Sequence, residues 1–221
     1  MEGYGQIWQI MGIEDYRPIG EIFVLQNVTL EGRFVRLEPL APHHKNGLCE
    51  AILDGELWKL FVTRVPHPDD VESKFQEAER LYQSGQGLTF ATMERDSGKV
   101  IGSTSYLHAE IALGRIEIGA TFLAKSLQKT AFNTEAKLLM LGHAFESLNL
   151  NRVEFLTDYL NFASREAITK LGARQEGILR RHMIMPGGRV RDSVIFSIVR
   201  EEWVGIKAHL QARLERLASD L

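Results

Sequence analysis

Apolar positions recur along this chain with two different periods, and the changes of period mark its elements. Residues 1–27 show neither, since Tyr4, Ile7, Trp8, Ile10 and Met11 are irregularly spaced, and we assign them to an N-terminal extension of undetermined structure. From Gly32 the pattern is regular: Arg33 to Glu38 alternates as a first strand, and Pro42 opens a helix over His44 to Leu53. Asp69 and Asp70 precede Val71, Phe75, Ala78, Leu81 and Tyr82, a helical spacing with acidic residues at its positive end. Three strands follow, Leu88 to Glu94, Val100 to Ala109 and Arg115 to Ala124, separated by Arg95-Asp-Ser-Gly98 and Gly114, so they are expected to pair as an antiparallel meander.

Thr134 to Leu148 is apolar at helical spacing for about four turns, and Arg152 to Thr157 returns to a strand pattern. A strand, a helix and a strand in such a short stretch form a right-handed crossover, which makes the two strands parallel. Beyond them lie a helix from Phe162 to Leu171 ended by Gly172, and a hairpin of Glu176 to Met185 with Val190 to Val199. A C-terminal helix starts at Glu201. The expected class is α+β, a mixed, mostly antiparallel sheet with one parallel βαβ pair and helices on both faces, in a single domain over 28–221.

Composition narrows the function classes. The 221 residues, 44% hydrophobic and 25% charged, suit one sizeable core, and a net charge of −3 gives no global pull toward nucleic acid or anionic membrane. Cys49 is the only cysteine, which excludes an internal disulfide and a cysteine metal cluster. It reads as a buried thiol on a helix and not as a nucleophile. No apolar run approaches the roughly 18 residues of a membrane span, and no signal-peptide pattern opens the chain, so a cytoplasmic protein is expected. The histidines show no metal-ligand spacing: His43 and His44 are adjacent, and His108, His143 and His182 are isolated. No metal is expected.

Candidate chemistry concentrates at one helix start. Ser126-Leu-Gln-Lys-Thr-Ala-Phe-Asn-Thr-Glu-Ala-Lys137 runs from a loop into a helix with Asn133 or Thr134 as capping residue. Unpaired backbone amides, half a positive charge from the helix and the cation of Lys129 suit a phosphate or pyrophosphate. The plain alternative is a capped helix with a solvated lysine.

Several strings, in this order, resemble the GCN5-related N-acetyltransferases (GNAT), particularly their RimJ/RimL-like branch. They are Leu37-Glu38-Pro39-Leu40, Ile116-Glu-Ile-Gly119, Gln128 to Ala136, Asn161-Phe-Ala-Ser164, Leu171-Gly172-Ala173, Arg180-Arg-His-Met183 and Arg189-Val-Arg-Asp192. The resemblance covers roughly Leu30 to Glu202. It implies acetyl-CoA as co-substrate and direct transfer of the acetyl group to a primary amine in a ternary complex, the amine being a peptide N-terminus, an amino acid or a small amine.

It further implies that pantetheine pairs with the strand backbone at Thr121, Phe122, Leu123 and Ala124. The diphosphate would lie on Gln128, Lys129, Thr130, Ala131, Asn133 and Thr134, and Asn161 would contact the pantetheine amide. Glu117 resembles a general base, the alternative being an ion pair with an arginine across the sheet; a carboxylate removed from water becomes a better base. Ser164 resembles the donor of a proton to the departing thiolate, its alternative being a helix cap. Two departures stand out: Ala131 and Asn133 occupy places where the family's phosphate loop carries glycine and a small residue, and the usual tyrosine acid is replaced by Ile168. Arg180, Arg181, His182, Arg189 and Arg191 in the hairpin either attract an acidic substrate or RNA, or are exposed edge-strand charges. Two rival functions follow, an acyl-CoA-binding protein without turnover and an RNA- or ribosome-binding protein, with nucleic acid the less favoured partner. A homodimer is one possible assembly.

Overall fold

A computed structural model describes residues 25–219. The extension assigned to 1–27 lies mostly outside them, but Leu25, near its end, is already buried in the core. Eight strands form one sheet in the order β1-β2-β3-β4-β5-β6-β8-β7. They are β1 (Leu30–Glu31), β2 (Val35–Pro39), β3 (Leu88–Glu94), β4 (Val100–Glu110), β5 (Arg115–Leu123), β6 (Arg152–Asp158), β7 (Arg174–Ile184) and β8 (Val190–Val199). All neighbours pair antiparallel except β5 and β6, the crossover pair, so the mixed sheet expected from the sequence is the sheet observed.

The helices are α1 (Lys45–Leu53), α2 (Glu72–Gln83), α3 (Ala131–Gly142), α4 (Phe162–Lys170) and α5 (Trp203–Ala218). One face of the sheet carries α3, α4 and α5, packed through Phe132, Met140, Ile168, Trp203 and Leu210 on Phe90, Ile118, Phe155 and Phe196. The other face carries α1 and α2, where Leu48, Ile52 and Phe75 meet Ala91, Val100 and Phe122. These two helices cover only the β2 to β5 half.

Strand register describes the half beyond them. Glu117 pairs with Glu154, Glu154 with Ser197, and Asp158 with Ser193, and directly paired residues share a face. With period two along β8, Arg191 joins them. Here the face of β5, β6 and β8 on the α1 and α2 side therefore carries these polar residues around the apolar pair of Leu156 and Ile195. Arg152 closes one end of it, bonding Glu154 at 2.7 Å and Glu176, whose carboxyl the guanidinium holds at about 2.

Three boundaries depart from the sequence reading. A short strand at Leu30–Glu31 was not anticipated. The helix expected from Thr134 starts at Ala131, because Thr130 already has the extended backbone of a helix-entry residue (φ −97°, ψ −173°). Neither Asn133 nor Thr134 caps it: Asn133 lies within the first turn and Thr134 is buried. At its other end the regular helix stops at Gly142 and widens, with the amide of Leu148 donating to the carbonyl of His143 at 2.9 Å.

Candidate active site

β5 and β6 pair over three residues only, Arg115 with Arg152, Ile116 with Val153 and Glu117 with Glu154, and then part. The edge of β5 beyond Glu117 thus faces a cleft instead of a strand, with backbone groups that require partners. A bulge shapes this edge: Ser103 opposes Phe122 while Ser105 opposes Gly119, so β5 carries one extra residue, and Ala120 adopts φ +47° to absorb it. The slip sends Phe122 to the α1 and α2 face and Thr121 to the α3 face.

Because β5 and β6 are parallel, their C-terminal ends lie at one end of the sheet, the place where open α/β sheets bind ligands. Two helices start there. After β5 comes a turn over Lys125–Leu127, then Lys129 in the left-handed region (φ +66°), then α3. Among the described residues no side chain caps α3, so its first amides can meet an incoming acceptor. Gln128 folds back, its amide donating to the carbonyl of Leu123 at 3.1 Å, while the Thr130 hydroxyl donates to Leu127 at 2.7 Å. Ala131 is fully buried, so its methyl does not stand in the mouth of the cleft.

After β6, Asn161 caps α4: its side-chain oxygen accepts from the Ser164 amide at 3.0 Å. Ser164 is half-buried in that first turn, and Ile168, where relatives carry tyrosine, faces the core. Lys129 also approaches α4, since its charge joins that of Lys170 in holding the Glu166 carboxyl below its usual range, the Lys170 hydrogen bond contributing most. The loop before α3 and the start of α4 thus face each other.

Glu117 is only 6% exposed, and its partner is not an arginine but His108, whose Nδ1 lies 2.8 Å from its Oε2. His108 sits in a second irregularity, where Leu107 opposes Glu117 and Glu110 opposes Arg115, and takes φ +46°. A non-glycine residue held there is strained, and the strain aims the ring at the carboxylate. That hydrogen bond raises the His108 pKa above its usual value against the opposing effect of burial. Gly119 makes room for the acid: a Cβ there would lie 2.7 Å from Glu117 Oε1. Sequence reasoning missed His108, because only the pairing of β4 with β5 brings it to Glu117.

A second unanticipated group is Lys137 on α3, 4% exposed. Its Nζ donates to the hydroxyls of Thr104 and Thr121, each at 2.7 Å, which themselves lie 2.7 Å apart. The lysine therefore fastens the underside of the bulge. Burial lowers its pKa to about 7.

The hairpin arginines do not behave as one set of exposed edge charges. Arg180 is exposed and pairs with Asp192, whereas Arg189 bonds Asp158 and the carbonyl of Phe61, and Arg191 is 8% exposed. The fold also gathers Glu38, His43 and His44. The Ala41 amide donates to His44 Nδ1, so Nε2 carries the proton and donates to Glu38 at 3.3 Å, with no lone pair left for a metal.

This architecture is that of an acetyltransferase. The Acetyltransferase (GNAT) domain model matches residues 35–174, and the chain belongs to that family. It is 29% identical over 160 residues to an uncharacterised N-acetyltransferase, p20, of Bacillus licheniformis, covering 72% of this chain and 88% of that one. A GCN5-related N-acetyltransferase of Brucella melitensis superposes with a TM-score of 0.76 at 33% identity, covering 86% of each chain. RimJ of Mycobacterium smegmatis, solved with CoA-disulfide, shares the fold with a TM-score of 0.70 at 21% identity, covering 85% of this chain and 93% of that one. No helix among the described residues is long and apolar enough to cross a membrane.

Proposed function

We propose that this chain is an acetyl-CoA-dependent N-acetyltransferase working by direct transfer in a ternary complex, with Glu117 as general base. The observation that carries the reading is a buried carboxylate on the strand that parts from its parallel neighbour, hydrogen-bonded to His108 at 2.8 Å. The α3 amides and Lys129 would hold the diphosphate, and the edge of β5 from Thr121 to Leu123, whose last carbonyl accepts from Gln128, would pair with pantetheine. Bound acetyl-CoA supplies an activated thioester.

The chain's own residues do the rest. Glu117, directly or through a water, accepts the proton of the incoming ammonium, which frees the nitrogen lone pair. The amides around the bulge stabilise the oxyanion as the C–N bond forms. The C–S bond then breaks, and the second proton that the nitrogen sheds as the amide forms passes to the departing thiolate through Ser164 or a water. His108 keeps the Glu117 carboxylate oriented through its hydrogen bond.

The acceptor is a primary amine: a peptide N-terminus, an amino acid or a small amine. Thiol release from acetyl-CoA with an amine panel tests the reading. Glu117→Gln is expected to lower kcat/KM about 100-fold or more, as loss of a general base does, with little change in acetyl-CoA affinity by calorimetry. A rate equal to wild type would remove Glu117 from the mechanism.

A further inference from the structure

Beyond α1 and α2, this face of the sheet holds cations that form no ion pair among the described residues. Arg191 projects from β8 on the side of Glu117, is buried, and bonds through Nε to Ser193 Oγ at 2.9 Å. Ser193 is also 3.0 Å from His182, so it is no substitute for an anion. Arg189 lies over the Phe61 ring at 5.4 Å and donates to the Phe61 carbonyl, which seats the loop carrying Arg64 beside β8. From α2, Lys74 reaches Phe122 on β5, its Nζ 5.7 Å from the ring centre.

Arg64 on the loop that Arg189 holds, Lys74 on α2 and Arg191 on β8 therefore lie on one side of the sheet, near enough for the charge of Arg64 to act on both others. Among the described residues none of them forms an ion pair. Burial lowers the proton affinity of Lys74 and Arg191 most; Glu77 opposes it at Lys74, Asp158 and Glu117 oppose it at Arg191, and Arg64 adds a smaller repulsion to both. The nearby carboxylates are engaged elsewhere. Asp158 accepts from Arg189 and from the Leu160 amide, and Glu117 from His108. A desolvated guanidinium that forms no ion pair of its own gains from an anion that completes the site.

We propose that this cluster is the acceptor's anion subsite, so that the amine acetylated here belongs to a molecule bearing a carboxylate, which Arg191 and Arg64 bind while the nitrogen faces Glu117. The inference rests on the acetyltransferase reading above. It narrows the acceptor to carboxylate-bearing amines such as free amino acids, over neutral amines and over peptide N-termini engaged without a carboxylate. Arg191 acts by charge and by its planar pair of donors, which match a carboxylate.

The test compares each common amino acid with its own carboxamide as acceptor, by thiol release. Acids are expected to exceed their carboxamides about tenfold or more in kcat/KM, because an unfilled charged subsite penalises the neutral analogue. Arg64→Gln, in an exposed loop, and Arg191→Gln, at a buried position, are expected to erase that preference by raising KM for the acids. Calorimetric affinity for coenzyme A is expected to stay unchanged. Independently of turnover, millimolar N-acetyl amino acids are expected to raise the melting temperature of wild type, but not of Arg64→Gln.

Equal rates for acids and carboxamides overturn the subsite while leaving the acetyltransferase reading intact. So does a loss of coenzyme A affinity in Arg64→Gln, which would assign the cations to the cofactor's phosphates. If no acid is accepted and no N-acetyl amino acid shifts the melting temperature, the subsite is refuted. Absence of coenzyme A binding to wild type, by contrast, refutes the reading beneath it.

Discussion

At the scale of single residues, Lys137 is the clearest case of a side chain whose environment sets its charge. It lies at 4% exposure between two threonine hydroxyls, and its pKa falls from the ordinary lysine value to about 7 because burial disfavours the ammonium. In the unfolded chain the amine returns to ordinary behaviour. Between about 7 and the ordinary value near 10.5 the unfolded state therefore binds a proton that the folded state lacks. Stability rises with pH wherever the unfolded state holds more protons, so this group's contribution improves across that window. Below about 7 both states are protonated and the penalty is constant and largest. Lys137→Met removes the titration. The unfolding free energy of wild type minus that of the variant is expected to increase from pH 7 to pH 10, by at most about 1.4 kcal/mol per pH unit crossed. Parallel melting curves across that range would show that the amine keeps its proton in the folded protein.

Elements are where the sequence was most legible and where its limits have a physical cause. Alternation and turn residues identified the meander from Leu88 to Ala124, and the crossover logic made β5 and β6 parallel, because both depend on local period and on handedness. Glu117 and the helix start near Gln128 were legible as short motifs. What periodicity could not reveal was contact between distant segments: His108 on Glu117, Lys137 under Thr121, and Arg191 buried instead of lining an exposed edge. Glu135 belongs to the same class. Buried in the first turns of α3, its carboxylate accepts from the amides of Arg33, Phe34 and Val35 at 2.7, 2.6 and 2.7 Å, over 100 residues away. It anchors the cofactor-side helix to the start of β2, and Gly32 leaves it space, since a Cβ there would lie 2.5 Å from the carboxyl carbon. Hydrogen bonds to a charged group contribute about 1.5 to 3 kcal/mol each, and a buried donor left unpaired costs a further amount. Glu135→Gln keeps the shape but halves the acceptor oxygens. It is expected to destabilise the protein by about 2 to 4 kcal/mol in urea unfolding; a change within about 0.5 kcal/mol, the range of ordinary surface substitutions, would refute the anchoring role.

For the molecule as a whole, the site exists only when distant parts of the chain are assembled. The cleft needs β5 and β6 to pair at Glu117 and part beyond it, the bulge needs β4 and Lys137, and the two facing helix starts follow different strands. An unfolded chain offers none of this, so a ligand of the cleft binds the native state alone and must stabilise it by mass action. At a concentration about 100 times its Kd, acetyl-CoA is expected to contribute about 2.7 kcal/mol. For a protein of this size each kcal/mol moves the melting temperature by about 2 to 4 °C, which gives a rise of about 5 to 11 °C. Coenzyme A should produce a shift of the same order, because the diphosphate contacts proposed at α3 would not involve the acetyl group. A chain shortened to its pantetheine arm should produce much less. The size of the shift relative to Lys129→Ala then locates the phosphates: the variant is expected to lose part of the rise with coenzyme A and none of its own ligand-free stability, since Lys129 is exposed. A melting temperature that stays fixed over a thousandfold range of acetyl-CoA would mean that the amides of α3 hold no diphosphate, and with that the parted strands would lose their role in acyl transfer.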